Sequence, residues 1–150
     1  GNPARVVADS RARTPRDARV LDDEATTYVL ASEAAPADRL AVLREAGAEV
    51  VVAGAERVDL SAALDALADR GVGRLMVEGG GELLFSLFEA DLVDELSVYV
   101  GPFVVGGREA PTLADGEGFV DPDSFARLRL VGVERLDDGV VLSVAGRPDG

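Results

Sequence analysis

The chain has 150 residues, 47% of them hydrophobic, enough for one compact domain with a real core and too few to argue for two. It carries a formal charge of −13 and has neither cysteine nor histidine. Disulfides and thiolate metal sites are therefore excluded, no metal is expected, and DNA or RNA is not an expected partner, because binding there is dominated by phosphate neutralisation.

All 15 basic residues are arginine, and lysine, isoleucine, glutamine and tryptophan are absent. That composition fits a GC-rich genome, and it also fits a halophilic protein whose acidic surface is screened by salt. No apolar run is long enough to span a membrane and no basic-then-apolar segment opens the chain, so the protein is expected to be soluble and cytoplasmic, without a membrane partner.

In chain order, RVVA at residues 5–8 and TTYVLA at 26–31 are short β-branched runs separated by a turn-rich stretch, and each predicts a strand. Pro36 suits a first helical turn. Leu40, Leu43 and Ala46 follow at helical spacing until Gly47 stops the pattern. AEVVVAG predicts a buried strand. Asp59 can cap a helix in which Leu60, Leu64 and Leu67 recur on one face, closed by Arg70 and Gly71. RLMVEGG, residues 74–80, then predicts another strand, and Leu83, Leu84, Leu87 and Phe88 predict another helix. ELSVYVGPFVV predicts a strand running to Gly106 and Gly107, and the tail predicts two strands around a hairpin signal at Asp138-Gly139. Strands alternating with helices at short spacing imply βαβ units and a largely parallel sheet, finished here by an antiparallel hairpin.

Three consecutive glycines, Gly79, Gly80 and Gly81, fall where a predicted strand ends and a helix begins. In an open α/β sheet that is the carboxyl edge, where ligands bind, and a helix start offers unpaired N–H groups at the positive end of its dipole. Bare backbone there lets a phosphate approach; a tight strand-to-helix turn with positive φ is the other explanation. The spacing is neither GxGxxG nor GxxxxGK[ST], so neither the Rossmann fingerprint nor the P-loop is supported.

RVVADSRARTP, TTYVLAS, REAGAEVVVAG, RLMVEGGGELLFSLFEADLVDELSVYVGP and VVGG together resemble the archaeal-type 2,5-diamino-6-ribosylamino-4(3H)-pyrimidinone 5′-phosphate reductases of riboflavin biosynthesis. VEGGGEL, LVDEL and VVADSR are the most specific parts. The resemblance covers nearly the whole chain. It implies a dihydrofolate-reductase-like α/β three-layer sandwich, shared with the reductase half of the bacterial bifunctional deaminase-reductase, with a mostly parallel central sheet and a C-terminal hairpin. It also implies NADPH as cofactor, a phosphorylated ribosylaminopyrimidine as substrate, and a homodimer.

By the same resemblance, Gly80 and Gly81 with the first helical turn, Glu82, Leu83, Leu84, Phe85 and Ser86, would cradle the NADPH pyrophosphate. Ser10 would contact the adenosine side of the cofactor, and Glu78 the substrate. Arg11 and Arg13 could add charge for a 2′-phosphate, or be solvated loop arginines. Glu78 could instead tie down the turn. No side chain is assigned a catalytic role. Hydride would pass from the nicotinamide to the sugar C1′ of a ring-opened imine, so the cofactor carries the chemistry and the protein supplies position and field. The family's domain is expected to begin well before the position matching Gly1, so residues 1–150 read as a single reductase domain incomplete at its amino end. Rival readings are a non-catalytic NADP-binding module, another dihydrofolate-reductase-like enzyme and a plain α/β structural domain.

Overall fold

A computed structural model describes residues 2–146. The chain divides into two compact units, Gly1–Leu75 and Met76–Gly150.

In the first unit, β1 (Arg5–Ala8), β2 (Thr27–Ala31) and β3 (Glu49–Val52) form a parallel sheet in that order, with Val7 opposite Val29 and Val29 opposite Val50. β2 is buried at all five positions. The reason is that both its faces are covered. Val29 and Ala31 pack with Leu43 of α1 (Ala37–Glu45), while Tyr28 and Leu30 pack with Ala63 and Leu67 of α2 (Leu60–Ala68). Successive side chains of a strand point to opposite faces, so a central parallel strand between two helices is apolar on both, as Tyr28 to Ala31 are, while the buried Thr27 satisfies its hydroxyl by donating it to the Val20 carbonyl. Leu43 and Leu67 are each 1% exposed, and burying such a side chain contributes about 1.5–3 kcal/mol.

The helix boundaries follow local chemistry. Pro36 precedes α1 with φ −59, and Gly47 ends it with φ +94. Asp59 caps α2 by accepting the Ala62 N–H at 3.0 Å, and Gly71 closes it at φ +87.

In the second unit, α3 (Gly81–Glu89) buries Phe85 and Leu87. β4 (Glu95–Val100), β5 (Arg129–Leu136) and β6 (Gly139–Ala145) form an antiparallel sheet in the order β4-β6-β5. Leu136 pairs with Gly139, so Asp137 and Asp138 form the turn, with Asp137 at φ +52; the hairpin sits one residue earlier than its strongest sequence signal. Gly139 leaves its Cβ space to the Tyr99 ring.

Three expected strands are not as the sequence suggests. AEVVVAG, expected to be a buried strand, is β3 at the end of the strand order, where only Val51 is buried and Val52 is 42% exposed. Residues 74–80 take no regular structure, and Met76 is 79% exposed. β4 stops at Val100 instead of continuing to Gly106 and Gly107. Val100 pairs with Val140, one residue from the start of β6, so the partner runs out there, and Pro102 beyond it lacks an N–H for any ladder.

Candidate functional site

The first unit gathers polar side chains at the carboxyl end of β1, where the chain turns immediately. Asp9 accepts the Thr14 N–H at 2.7 Å and the Thr14 hydroxyl at 2.6 Å, and Ala12 closes the turn at φ +52 by donating its N–H to the Asp9 carbonyl. Burial opposes ionisation of Asp9. The Thr14 hydroxyl, the backbone N–H groups of Arg13 and Thr14 and the Arg13 charge outweigh it, holding the carboxyl below its ordinary value.

Ser10 sits within this turn, half-buried. Its hydroxyl accepts the Val58 N–H at 3.1 Å, and its carbonyl accepts both the Ser32 N–H and the Ser32 hydroxyl, at 3.1 and 2.8 Å. The loops after β1, β2 and β3 are thereby stitched together through two serines. Ser32 is fully buried and escaped the sequence reading, because a lone serine after a strand carries no distinguishing pattern. Ser10 retains a hydroxyl proton to give. Arg11 is paired with Glu56 at 2.9 Å, with both side chains more than half exposed, and Arg13 is exposed. The Arg11 pair is a weak surface interaction of about 0–1 kcal/mol that an incoming anion can displace.

The second unit holds Glu78, the glycines and α3. The three glycines differ in what requires them to be glycine. Gly81 has no room, since a Cβ there would run into the Asp115 carboxylate and come within 2.9 Å of the Asp115 backbone nitrogen. Gly80 has φ +53 and ψ 125, a conformation that L side chains rarely adopt. Gly79 has neither constraint: a Cβ there would meet nothing within 4 Å. Packing therefore accounts for Gly81 and backbone geometry for Gly80, and neither accounts for Gly79.

Among the described residues, no side chain caps α3. Leu84 already donates its N–H to the Gly80 carbonyl at 3.0 Å, and Phe85 and Ser86 follow it into the helix. The amides of Gly81, Glu82 and Leu83 are the ones a helix start leaves open. Phe85 is buried against Phe119, with ring centroids 5.0 Å apart, and the Ser86 hydroxyl donates to the Glu82 carbonyl at 2.9 Å. Of the expected cradle, residues 80–83 offer backbone at the helix start, to which Gly79 adds the open space before it, while the Leu84 N–H is used within the helix and the side chains of Phe85 and Ser86 serve the fold. Glu78 is exposed, and among the described residues no hydrogen bond ties its carboxylate to the turn. Asp115 and Thr112, beside the helix start, were also missed by sequence reasoning; an Asp-Gly turn signal at Asp115-Gly116 marks the spot without saying what it touches.

The fold is that of the pyrimidine reductases. The chain overlays on a pyrimidine reductase-like protein of Corynebacterium diphtheriae with a TM-score of 0.77 at 20% identity, covering 98% of this chain and 62% of that one. It overlays equally well, TM-score 0.77 at 25% identity, on RibD of Acinetobacter baumannii, covering 97% of this chain and 38% of that one. The sequence is more specific: over residues 1–142 it matches the RibD C-terminal domain, and the chain belongs to that family. It is 47% identical over 142 residues to the 2,5-diamino-6-ribosylamino-4(3H)-pyrimidinone 5′-phosphate reductase of Archaeoglobus fulgidus, covering 95% of this chain and 62% of the relative. It is 53% identical over 129 residues to the protein of the same name in Methanothermobacter thermautotrophicus, covering 86% of this chain and 59% of the relative. The family expected from VEGGGEL and LVDEL is thus the family found. The chain spans about three fifths of the length of these relatives.

Proposed function

We propose that this chain is a single reductase domain that uses NADPH to reduce the ribosylamino group of a diaminopyrimidinone 5′-phosphate to the ribitylamino form, in riboflavin biosynthesis. The observation that carries this reading is its 47% and 53% identity with two proteins named for the pyrimidinone phosphate reductase. When bound, NADPH supplies the hydride, and the acceptor is C1′ of the ring-opened imine of the substrate.

The residues present fit the cofactor. Gly79 leaves open space over its Cα, and the first amides of α3 lack a side-chain cap, so the segment presents bare backbone and N–H donors suited to a pyrophosphate. The role of Ser10 and of the Arg11 and Arg13 guanidinium groups is to hold the adenosine end, Arg11 by exchanging Glu56 for a phosphate. Glu78, exposed and untied to its turn, is free to hold the substrate through its hydroxyls or its protonated imine nitrogen. The same reading makes the protein a cytoplasmic, halophilic homodimer acting on a small phosphorylated substrate. Its charge of −13 supports the exclusion of nucleic acid as a partner, and no helix among the described residues is long and apolar enough to cross a membrane.

The test is the loss of nicotinamide absorbance with and without the ribosylaminopyrimidine phosphate. Substrate-dependent oxidation of NADPH is expected. Tight NADPH binding with no oxidation would favour a non-catalytic NADP-binding module, and failure to bind NADPH would remove the reading altogether.

A further inference from the structure

In the loop between β4 and β5, Thr112 donates its hydroxyl to the Asp115 Oδ1 at 2.7 Å and its N–H to the same oxygen at 3.3 Å. With Oδ1 held in this way, the Asp115 Oδ2 rests against the α carbon of Gly81, in the space a Cβ would fill. The next residue continues along the helix. Gly116, at φ +104, lies so close to Phe85 that a Cβ on it would come within 2.9 Å of the ring, and Phe119 packs against Phe85 with the rings tilted by 51°. Gly81 and Phe85 are four residues apart and so share one stripe of α3. Residues 115–119 therefore lie along that stripe, with the carboxylate at the first turn and the aromatic anchor one turn further on.

A carboxylate at the start of a helix is favoured by the dipole, yet here it caps none of the amides. It occupies the positive end of α3 without using the donors there. We propose that Asp115 is an internal anion that competes with the pyrophosphate of the dinucleotide for the start of α3, so that the cofactor binds by displacing it and leaves more readily as it returns. The inference rests on the reading of residues 79–83 as a pyrophosphate cradle. Gly116 and Phe119 hold the turn to the helix at Phe85, one turn away from Asp115, and Gly79 and Gly80, with nothing within 4 Å of their Cβ positions, leave the approach open.

The test is calorimetric titration of the full chain with inorganic pyrophosphate and, separately, with NADPH, on the native protein, Asp115→Asn and Thr112→Val, with circular dichroism on each. Asp115→Asn keeps the size of the side chain and the acceptor for Thr112 while deleting the charge. Removing one like charge about 4 Å from a phosphate in water should tighten both ligands about fivefold. Thr112→Val keeps the charge but unties it, and should tighten both by a smaller factor. It also decides the matter if the asparagine variant does not fold. In molar KCl, where the Debye length is about 3 Å, the gain from Asp115→Asn should shrink. Equal affinity of Asp115→Asn and the native protein would overturn the proposal. So would weaker binding, which would show that the carboxylate accepts a ligand hydroxyl instead. If all three proteins are folded and none binds pyrophosphate or NADPH, the cradle reading itself fails and takes this inference with it.

Discussion

Substituting Gly79 by alanine separates the ligand from the fold more cleanly than any other change at the glycine run. A Cβ at Gly79 meets nothing within 4 Å, and its backbone is not in the left-handed region. Alanine there should stabilise the protein by about 0.4–1 kcal/mol by narrowing the unfolded ensemble, raising Tm by about 1–4 °C in a chain of this size. At Gly80, with φ +53, the same substitution strains the backbone by about 1–3 kcal/mol, and Gly80→Val more, so lost binding there would not be diagnostic. At Gly81 it would push Asp115 away. If a phosphate approaches the bare backbone of Gly79, a methyl group should cost one charge-assisted hydrogen bond, about 1.5–3 kcal/mol, which is about a 10- to 150-fold rise in the NADPH Kd. Calorimetric titration with NADPH reads the affinity and thermal melting by circular dichroism reads the fold. A stable Gly79→Ala protein with native NADPH affinity would refute the reasoning and leave the glycines as a turn.

Glu78→Gln keeps shape and hydrogen-bonding capacity while deleting charge, so turnover should fall at least about tenfold with NADPH affinity nearly unchanged. Parallel loss of cofactor binding and stability would make Glu78 a turn residue instead. Asp9 has a folded pKa below its ordinary 3.8, so its contribution to stability is complete above that value and is lost as pH falls through the folded pKa. Thr14→Val should therefore cost about 1 kcal/mol at pH 7 in urea denaturation, with the gap to the native protein narrowing below pH 3.8; a gap constant down to pH 2 would contradict it. The charge of −13 should make Tm rise from dilute buffer to molar KCl, and equal melting temperatures would remove the halophilic reading.

What the sequence made legible was local or doubly reinforced. Asp59 caps α2, and Gly47 and Gly71 end α1 and α2, because a cap or a left-handed stop is decided within one turn of chain. Burial was not legible in the same way: AEVVVAG reads as the buried strand, yet β3 lies at the end of the strand order with Val52 42% exposed, and the strand buried at every position is β2, because which strand becomes central depends on partners that local composition does not name. RLMV and PFVV have the composition of strands without the structure, because a strand exists only with a partner, and composition cannot show where a partner ends. The helix start after the glycines was legible. Its contact with Asp115 was not, because nothing in a Thr-to-Asp turn far along the chain announces which glycine it covers.

The most direct measurement of the central claim is the fate of a labelled hydride. The protein is incubated with the ribosylaminopyrimidine phosphate and NADPH deuterated at the transferred position, and the product is weighed by mass spectrometry and located by NMR. A ribitylamino product carrying one deuterium at C1′ is the expected result. NADPH consumed without deuterium in the ribityl chain, or substrate recovered unreduced from a folded, cofactor-bound protein, would contradict the assignment of this chain as the reductase.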